Sequence, residues 1–160
     1  MQQEDDLRFM KLAIEEARKA ADAGEIPVGA VLVRDGQVLA CAGNRREADR
    51  DALAHAEILC IREACRKTGS WRLSGCTLYV TLEPCPMCAG AVINARISRV
   101  VFACKDAKAG SFGSLINLAG YPYNHKPELV CGPCGEEAAE LLSGFFRSLR
   151  AKGESASSRA

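Results

Sequence analysis

Apolar residues recur at helical spacing from near the start of the chain. Phe9, Met10, Ala13, Ile14, Ala17, Ala20 and Ala21 fall on one face, with Asp5 and Asp6 placed to cap the helix and Gly24 to end it. The pattern then changes. Val28 to Val33 is an apolar, β-branched run, Asp35-Gly36 is a two-residue hairpin signal, and Val38 to Ala42 is the partner strand. The charged stretch Asn44 to Asp51 reads as a loop. Helical spacing returns with Ile58, Ile61, Ala64 and Cys65. It predicts a second helix starting near Leu53 or Ala54, with Asp51 as cap and Gly69 as stop.

Cys76 to Leu82 is rich in β-formers and reads as a buried strand. Pro84 then opens a third helix, running to about Ala95, because a first-turn proline lacks only an N–H that the helix does not use. Arg99 to Ala103 is a fourth strand, Lys105 to Ser114 a functional loop, Leu115 to Ala119 a short helical turn and Glu128 to Val130 a fifth strand. Glu136 to Arg150 is a final amphipathic helix, and the last eight residues, GESASSRA, predict a disordered tail. Strands alternating with helices imply one layered α/β domain over residues 1–152, with a mixed sheet and no repeat.

Composition narrows the class. Hydrophobic residues at 48% and charged residues at 26% are ordinary for a globular domain. No apolar run is long enough to span a membrane, and the acidic, polar start, Met1 to Asp6, is unlike a secretory signal. The expectation is a soluble cytoplasmic protein. A net charge of +1 announces no nucleic-acid partner, so any basic surface must be gathered locally. Nine cysteines, an odd number, favour metal binding or buried thiols over a disulfide framework.

Two of those cysteines carry chemistry. His55 and Glu57 stand in Ala54-His55-Ala56-Glu57, and Cys85 and Cys88 in Pro84-Cys85-Pro86-Met87-Cys88. One imidazole and two thiolates are good zinc ligands, and three protein ligands leave a fourth tetrahedral position open for water, the catalytic pattern. Both segments lie at expected helix starts, where the helix dipole favours thiolate over thiol. Glu57 is badly placed as a fourth ligand but can reach a metal-bound water, whose pKa zinc lowers towards about 7. The carboxylate then moves the two protons of that water in turn, the first to a ring nitrogen and the second to the departing amine. Taken singly, His55 reads equally as a capping or core histidine, and the cysteine pair as a structural knuckle. The joint pattern H-x-E followed by P-C-x-x-C is the zinc-deaminase signature.

Beyond the signature, the chain resembles the bacterial-type tRNA-specific adenosine deaminase family from about Leu7 to Arg150. The blocks that carry the resemblance are IPVGAVLV (Ile26 to Val33), Asn44, AHAEI (Ala54 to Ile58) and TLYVTLEPCPMCAGA (Thr77 to Ala91). RVVF (Arg99 to Phe102), DAKAG (Asp106 to Gly110), GSL (Gly113 to Leu115), Asn124-His125 and FFRSLR (Phe145 to Arg150) continue it. The chain departs from the family at DALAHAEI, where a proline and a threonine or serine are commoner, and at GYPY, where histidines are frequent.

The resemblance implies a three-layer cytidine deaminase-like fold with a mixed five-stranded sheet flanked by helices, a homodimer, and deamination of the wobble adenosine of a tRNA anticodon stem-loop to inosine. It places Asn44 on the purine, the Ala56 and Cys85 backbones at the attacked carbon, and Val28 and Pro84 beside the substrate. Asp106, Lys108, Phe145, Phe146, Arg147 and Arg150 would meet the RNA. Two other functions compete: deamination of a free base or nucleotide, and a zinc-stabilised binding module without catalysis. Glu57 argues against the second, since a structural site needs no carboxylate there.

Several residues invite a role that the pattern does not support. Cys131-Gly-Pro-Cys134 has redox-motif spacing, but no further His or Cys pair stands nearby, and a solvent-near thiol pair is the preferred reading. Cys41, Cys60, Cys65, Cys76 and Cys104 fall on strands or apolar helix faces and read as small hydrophobes. His125 is a turn residue or an RNA contact, outside the metal set. Trp71 is expected to pack beneath the helix-to-strand connection. The small and aliphatic residues of Pro84–Ala95 and of RVVF look too numerous for one domain surface, which again suggests a homodimer.

Overall fold

The computed structural model describes residues 1–153, so the tail expected from 153 lies, from 154 on, outside the described residues. The strands are β1 (Gly29–Arg34), β2 (Gln37–Gly43), β3 (Cys76–Leu82), β4 (Arg99–Cys104) and β5 (Glu128–Cys131). The helices are α1 (Gln2–Asp22), α2 (Arg46–Asp49), α3 (Ala56–Thr68), α4 (Pro86–Asn94) and α5 (Gly135–Ala151). The five strands form one sheet in the order β2-β1-β3-β4-β5. β1 pairs antiparallel with β2 and with β3, while β3, β4 and β5 run parallel. This is the mixed sheet expected from the alternation of elements.

Because side chains alternate across a strand, each central strand serves two cores. Ala30, Leu32, Leu78, Val80, Val100 and Phe102 face α3 and α4, meeting Ala56, Cys60, Ala64, Ala89 and Val92. Val31, Val33, Tyr79, Val101 and Ala103 face the other way, onto Phe9, Met10, Ala13 and Ile14 of α1 and Ala138 of α5. The result is three layers: α1 and α5, the sheet, then α3 and α4. Both central residues of the β1–β2 turn are left-handed, Asp35 at φ 51° and Gly36 at φ 74°, as the two-residue hairpin requires.

The structure differs from the sequence expectations in specific ways. α1 begins at Gln2, so Asp5 lies in its first turn and Asp6 lies inside the helix, buried and not capping. The segment expected as loop at Asn44–Asp51 contains the one-turn helix α2. α3 starts at Ala56 with His55 at its N-cap, and α4 starts at Pro86 with Cys85 at its N-cap. Pro84 therefore does not open α4. Pro86 drives the preceding Cys85 into extended backbone (φ −73°, ψ 175°), which keeps it outside the helix. The helical turn expected at Leu115–Ala119 forms as a 3₁₀ turn at Leu118–Gly120, capped by the Asn117 side chain accepting from the Ala119 N–H at 3.0 Å.

Two surface expectations also change. Trp71 is 57% exposed, with the Arg72 and Arg96 guanidinium carbons 4.9 and 5.7 Å from its ring centroid. Cys41 is exposed on the edge strand β2. The aliphatic RVVF segment offers no surface for a partner, because β4 is an inner strand and Val100, Val101 and Phe102 are buried in the chain's own cores.

Candidate active site

Two helix N-termini converge beyond the C-terminal end of β3, the end of a parallel sheet where α/β proteins place their ligands. α3 brings His55 at its N-cap and Glu57 in its first turn, and α4 brings Cys85 at its N-cap and Cys88 in its first turn. His55 Nδ1 lies 3.6 Å from Cys85 Sγ and 3.5 Å from Cys88 Sγ. All three ligand atoms lie within 4.8 Å of one another, the only such His/Cys/Asp/Glu group among the described residues.

The spacing tests whether zinc fits. Bonds of about 2.3 Å to sulfur and about 2.0 Å to nitrogen at the tetrahedral angle put the two atoms about 3.5 Å apart. Both observed S···N distances agree, and the donor set of one imidazole and two thiols is the right chemistry. The thiols are already inequivalent. Cys85 accepts from Cys88 and then from His55, which holds its pKa down at about 4 against the cost of burial. Cys88 is pushed up, first by donating to Cys85 and then by burial. The hydrogen bond with Cys85 raises His55 above the usual imidazole range, although burial opposes it.

Glu57 is buried, and burial is the main reason its pKa is raised; the His55 charge and bonds from its own N–H and from Cys88 pull the other way. A carboxyl poised above its ordinary range is suited to carrying a proton near neutral pH.

A cavity of about 170 Å³ opens in front of these groups, lined by Val28, Asn44, His55, Ala56, Glu57 and Cys85 among others. It is smaller than the roughly 300–1,000 Å³ of sites for drug-sized ligands. Asn44 is buried in its wall, with Oδ1 accepting from the Arg46 N–H at 3.2 Å and Nδ2 donating to the Ile26 carbonyl at 3.4 Å. Pro84 is not among the lining residues; it is buried, its carbonyl accepting from the Ser111 N–H at 2.9 Å.

Beside the cavity, and sharing Ile26, Leu82 and Asp106 with it, runs an open groove. Its walls carry Lys105, Lys108, Phe146, Arg147 and Arg150. Arg147 is held by Glu140 at 2.6 Å. Phe145 instead lines a hollow between α1 and α5, and touches the groove only through Phe146, whose ring it meets edge-on at 5.7 Å between centroids. His125 lies apart, with Nε2 2.6 Å from the Ile97 carbonyl. The thiols of Cys131 and Cys134 are free, exposed and half-buried respectively.

Sequence reasoning passed over two buried carboxylates that shape the walls. Glu25 accepts from the Glu47 N–H at 3.1 Å and the Ala48 N–H at 2.7 Å, holding α2 against the cavity. Glu83 accepts from the Asp106, Phe112 and Ser114 N–H groups, each at 3.1 Å, and from the Ser114 hydroxyl. Burial works to raise the Glu83 pKa, but these bonds outweigh it and the carboxyl is held below its usual range. An acidic residue closing an apolar strand, as in Leu82-Glu83-Pro84, was the available signal.

Known proteins are similar to this chain in sequence and fold. Residues 4–150 match the model of the MafB19-like deaminase family. A tRNA-specific adenosine deaminase of Bacillus subtilis is 53% identical over 94% of each chain. A solved structure from work on A-to-I editing by tRNA:A34 deaminases superposes with a TM-score of 0.82 at 47% identity, over 84% of this chain and 99% of that one. A guanine deaminase of Bacillus subtilis superposes with a TM-score of 0.61 at 33% identity, over 90% and 92% of the two chains. With the cytidine deaminase-like sheet, the paired helix N-termini and these relatives in place, the chain belongs to the tRNA-specific adenosine deaminase family.

Proposed function

We propose that the chain converts adenosine to inosine at the wobble position of a tRNA anticodon. The observation that carries this reading is the continuity of the base-sized cavity with the basic groove at its side. A free base would fill the cavity and leave the groove without purpose. A nucleotide within RNA must be flipped out of its stack to reach a recessed site, and its flanking phosphates then need counter-charge outside the cavity. Lys105, Lys108, Arg147 and Arg150 supply it, with Asp106 at the junction and Phe146, backed by Phe145, offering a stacking face. The named activity of the close relatives points the same way.

His55, Cys85 and Cys88 would hold a zinc ion, which supplies the Lewis acidity that activates water near neutral pH. Asn44 hydrogen-bonds the purine, while Val28 and the Ala56 and Cys85 backbones hold the ring carbon that bears the amino group beside Glu57. Glu57 takes one proton from the attacking water and delivers it to the ring nitrogen next to that carbon, then takes the remaining hydroxyl proton and passes it to the leaving amine. Adenosine and water thus yield inosine and ammonia. Residues 1–152 form the deaminase domain, and the protein acts in the cytoplasm as a homodimer. Exposed Leu115, Ile116, Tyr121 and Tyr123 support an apolar contact surface of that kind.

The test is to incubate the protein with an anticodon stem-loop carrying a wobble adenosine and, separately, with free guanine. Inosine in the stem-loop is expected. The likeness to guanine deaminases makes the second substrate the informative competitor: turnover of guanine with no inosine ends the tRNA reading.

A further inference from the structure

Glu83 lies one residue beyond β3 and two before Cys85, and its carboxylate is buried. Its acceptor positions are turned to one segment. Oε1 takes the Asp106 N–H and the Ser114 hydroxyl, and Oε2 takes the Phe112 and Ser114 N–H groups. Both ends of the 106–114 loop are therefore tied to one side chain. The middle closes on it too. A Cβ on Gly110 would lie 2.4 Å from Glu83 Cδ and 2.4 Å from the Asp106 carbonyl, so only glycine permits the approach. The strand-to-helix link adds the Pro84 carbonyl bond to the Ser111 N–H, at 2.9 Å.

That loop gives Asp106 and Ala109 to the cavity, and Asp106, Ala107 and Lys108 to the groove. A turn could be closed by its own backbone at less cost than burying a carboxylate. What Glu83 adds is a fixed distance: the loop is referenced to the strand end that presents Cys85. We propose that Glu83 is a positioning residue for deamination, clamping the 106–114 loop so that the substrate-facing wall and groove keep register with the reacting centre. This rests on the stem-loop reading above.

Glu83→Gln keeps the size of the side chain but puts an amide NH₂ against N–H donors. Gly110→Ala disturbs the same contact from the loop side. Each variant should keep one zinc per chain and raise KM for the anticodon stem-loop at least tenfold, with kcat changed less than fivefold, because the loop holds substrate and moves no proton. The double variant should be no worse than the more damaged single, since both break one contact. A wild-type KM in Glu83→Gln, zinc lost in step with activity, or fully additive losses would overturn the proposal. Should Glu83→Gln not fold, Gly110→Ala decides by the same KM criterion. If wild-type protein makes no inosine, the functional reading fails separately, and the clamp is judged by amide hydrogen exchange. Glu83→Gln should speed exchange at Phe112 and Ser114 at least tenfold, and unchanged exchange refutes the clamp.

Discussion

Asp6 and Arg99, 93 positions apart, meet as a bidentate pair: Arg99 Nη1 donates to Asp6 Oδ1 and Nη2 to Oδ2, each at 2.7 Å. The Tyr79 hydroxyl donates to the same Oδ1 at 2.9 Å. Both charged residues are buried, so the pair pins α1 to β3 and β4 at one place.

Removing the Asp6 charge takes the bidentate partner from the buried Arg99 guanidinium and leaves it the exposed Glu128 carboxylate, 3.5 Å from Nε. Asp6→Asn should destabilise the fold by about 3–5 kcal/mol in urea unfolding. The Arg99 bond, with help from Tyr79 and against the cost of burial, holds the Asp6 carboxyl below its usual range. The unfolded chain therefore takes up the proton first as pH falls. The carboxylate's contribution is complete above the unfolded value of about 3.9 and is lost as pH drops through the lower folded value. The stability gap between wild type and Asp6→Asn should hold at neutral pH and narrow below that range. A gap independent of pH down to the acid limb would contradict the assignment.

Gly29 sets how closely α1 approaches β1. A Cβ there would lie 2.0 Å from the Ala13 carbonyl oxygen and 2.5 Å from the Ala17 nitrogen. Gly29→Ala must push the helix off the sheet, and we expect a loss of about 3 kcal/mol or more by thermal melting. Gly144→Ala, where the nearest atom is the end of the Arg147 side chain at 3.7 Å, should be neutral or slightly stabilising.

The metal set predicts one zinc per chain on elemental analysis. Cys85→Ser and Cys88→Ser should each lose most of it, since hydroxyl replaces thiolate at a site whose S···N spacing already suits zinc. Full zinc in both variants would rule out the assignment.

Glu57→Gln removes the proposed proton carrier and none of the three proposed zinc ligands. It should retain zinc and lose roughly 100-fold to 10,000-fold in single-turnover inosine formation. Near-normal turnover would mean that another group moves the proton.

The groove predicts salt behaviour. Arg147→Ala with Arg150→Ala should weaken stem-loop binding and reduce the salt slope by about one per lost phosphate contact. Arg147 must leave Glu140 to reach a phosphate, so Glu140→Ala should tighten binding slightly. Titrations across salt concentrations with an unchanged slope would place the RNA elsewhere.

Much of this protein was written locally. The continuous apolar runs at Val31–Val33, Leu78–Val80 and Val100–Phe102 fit strands buried on both faces, and they form the inner strands of the sheet. The H-x-E and C-x-x-C spacings put His55 with Glu57, and Cys85 with Cys88, each within one helical turn, and it is their joint pattern that suggests a metal set and a proton carrier. Long-range burial decided the rest. Asp6 has the form of a capping residue, yet it lies inside α1 because Arg99 and Tyr79 satisfy its carboxylate there. Glu83 looks like one more charge beside a proline until four donors from a loop some 23 to 31 positions away close on it. Trp71 looks like core and stands at the surface between two arginines. The reason is common to all three: spacing along the chain dictates backbone geometry over a few residues, whereas what a side chain meets, and whether it is covered, depends on which elements the packed core brings against it.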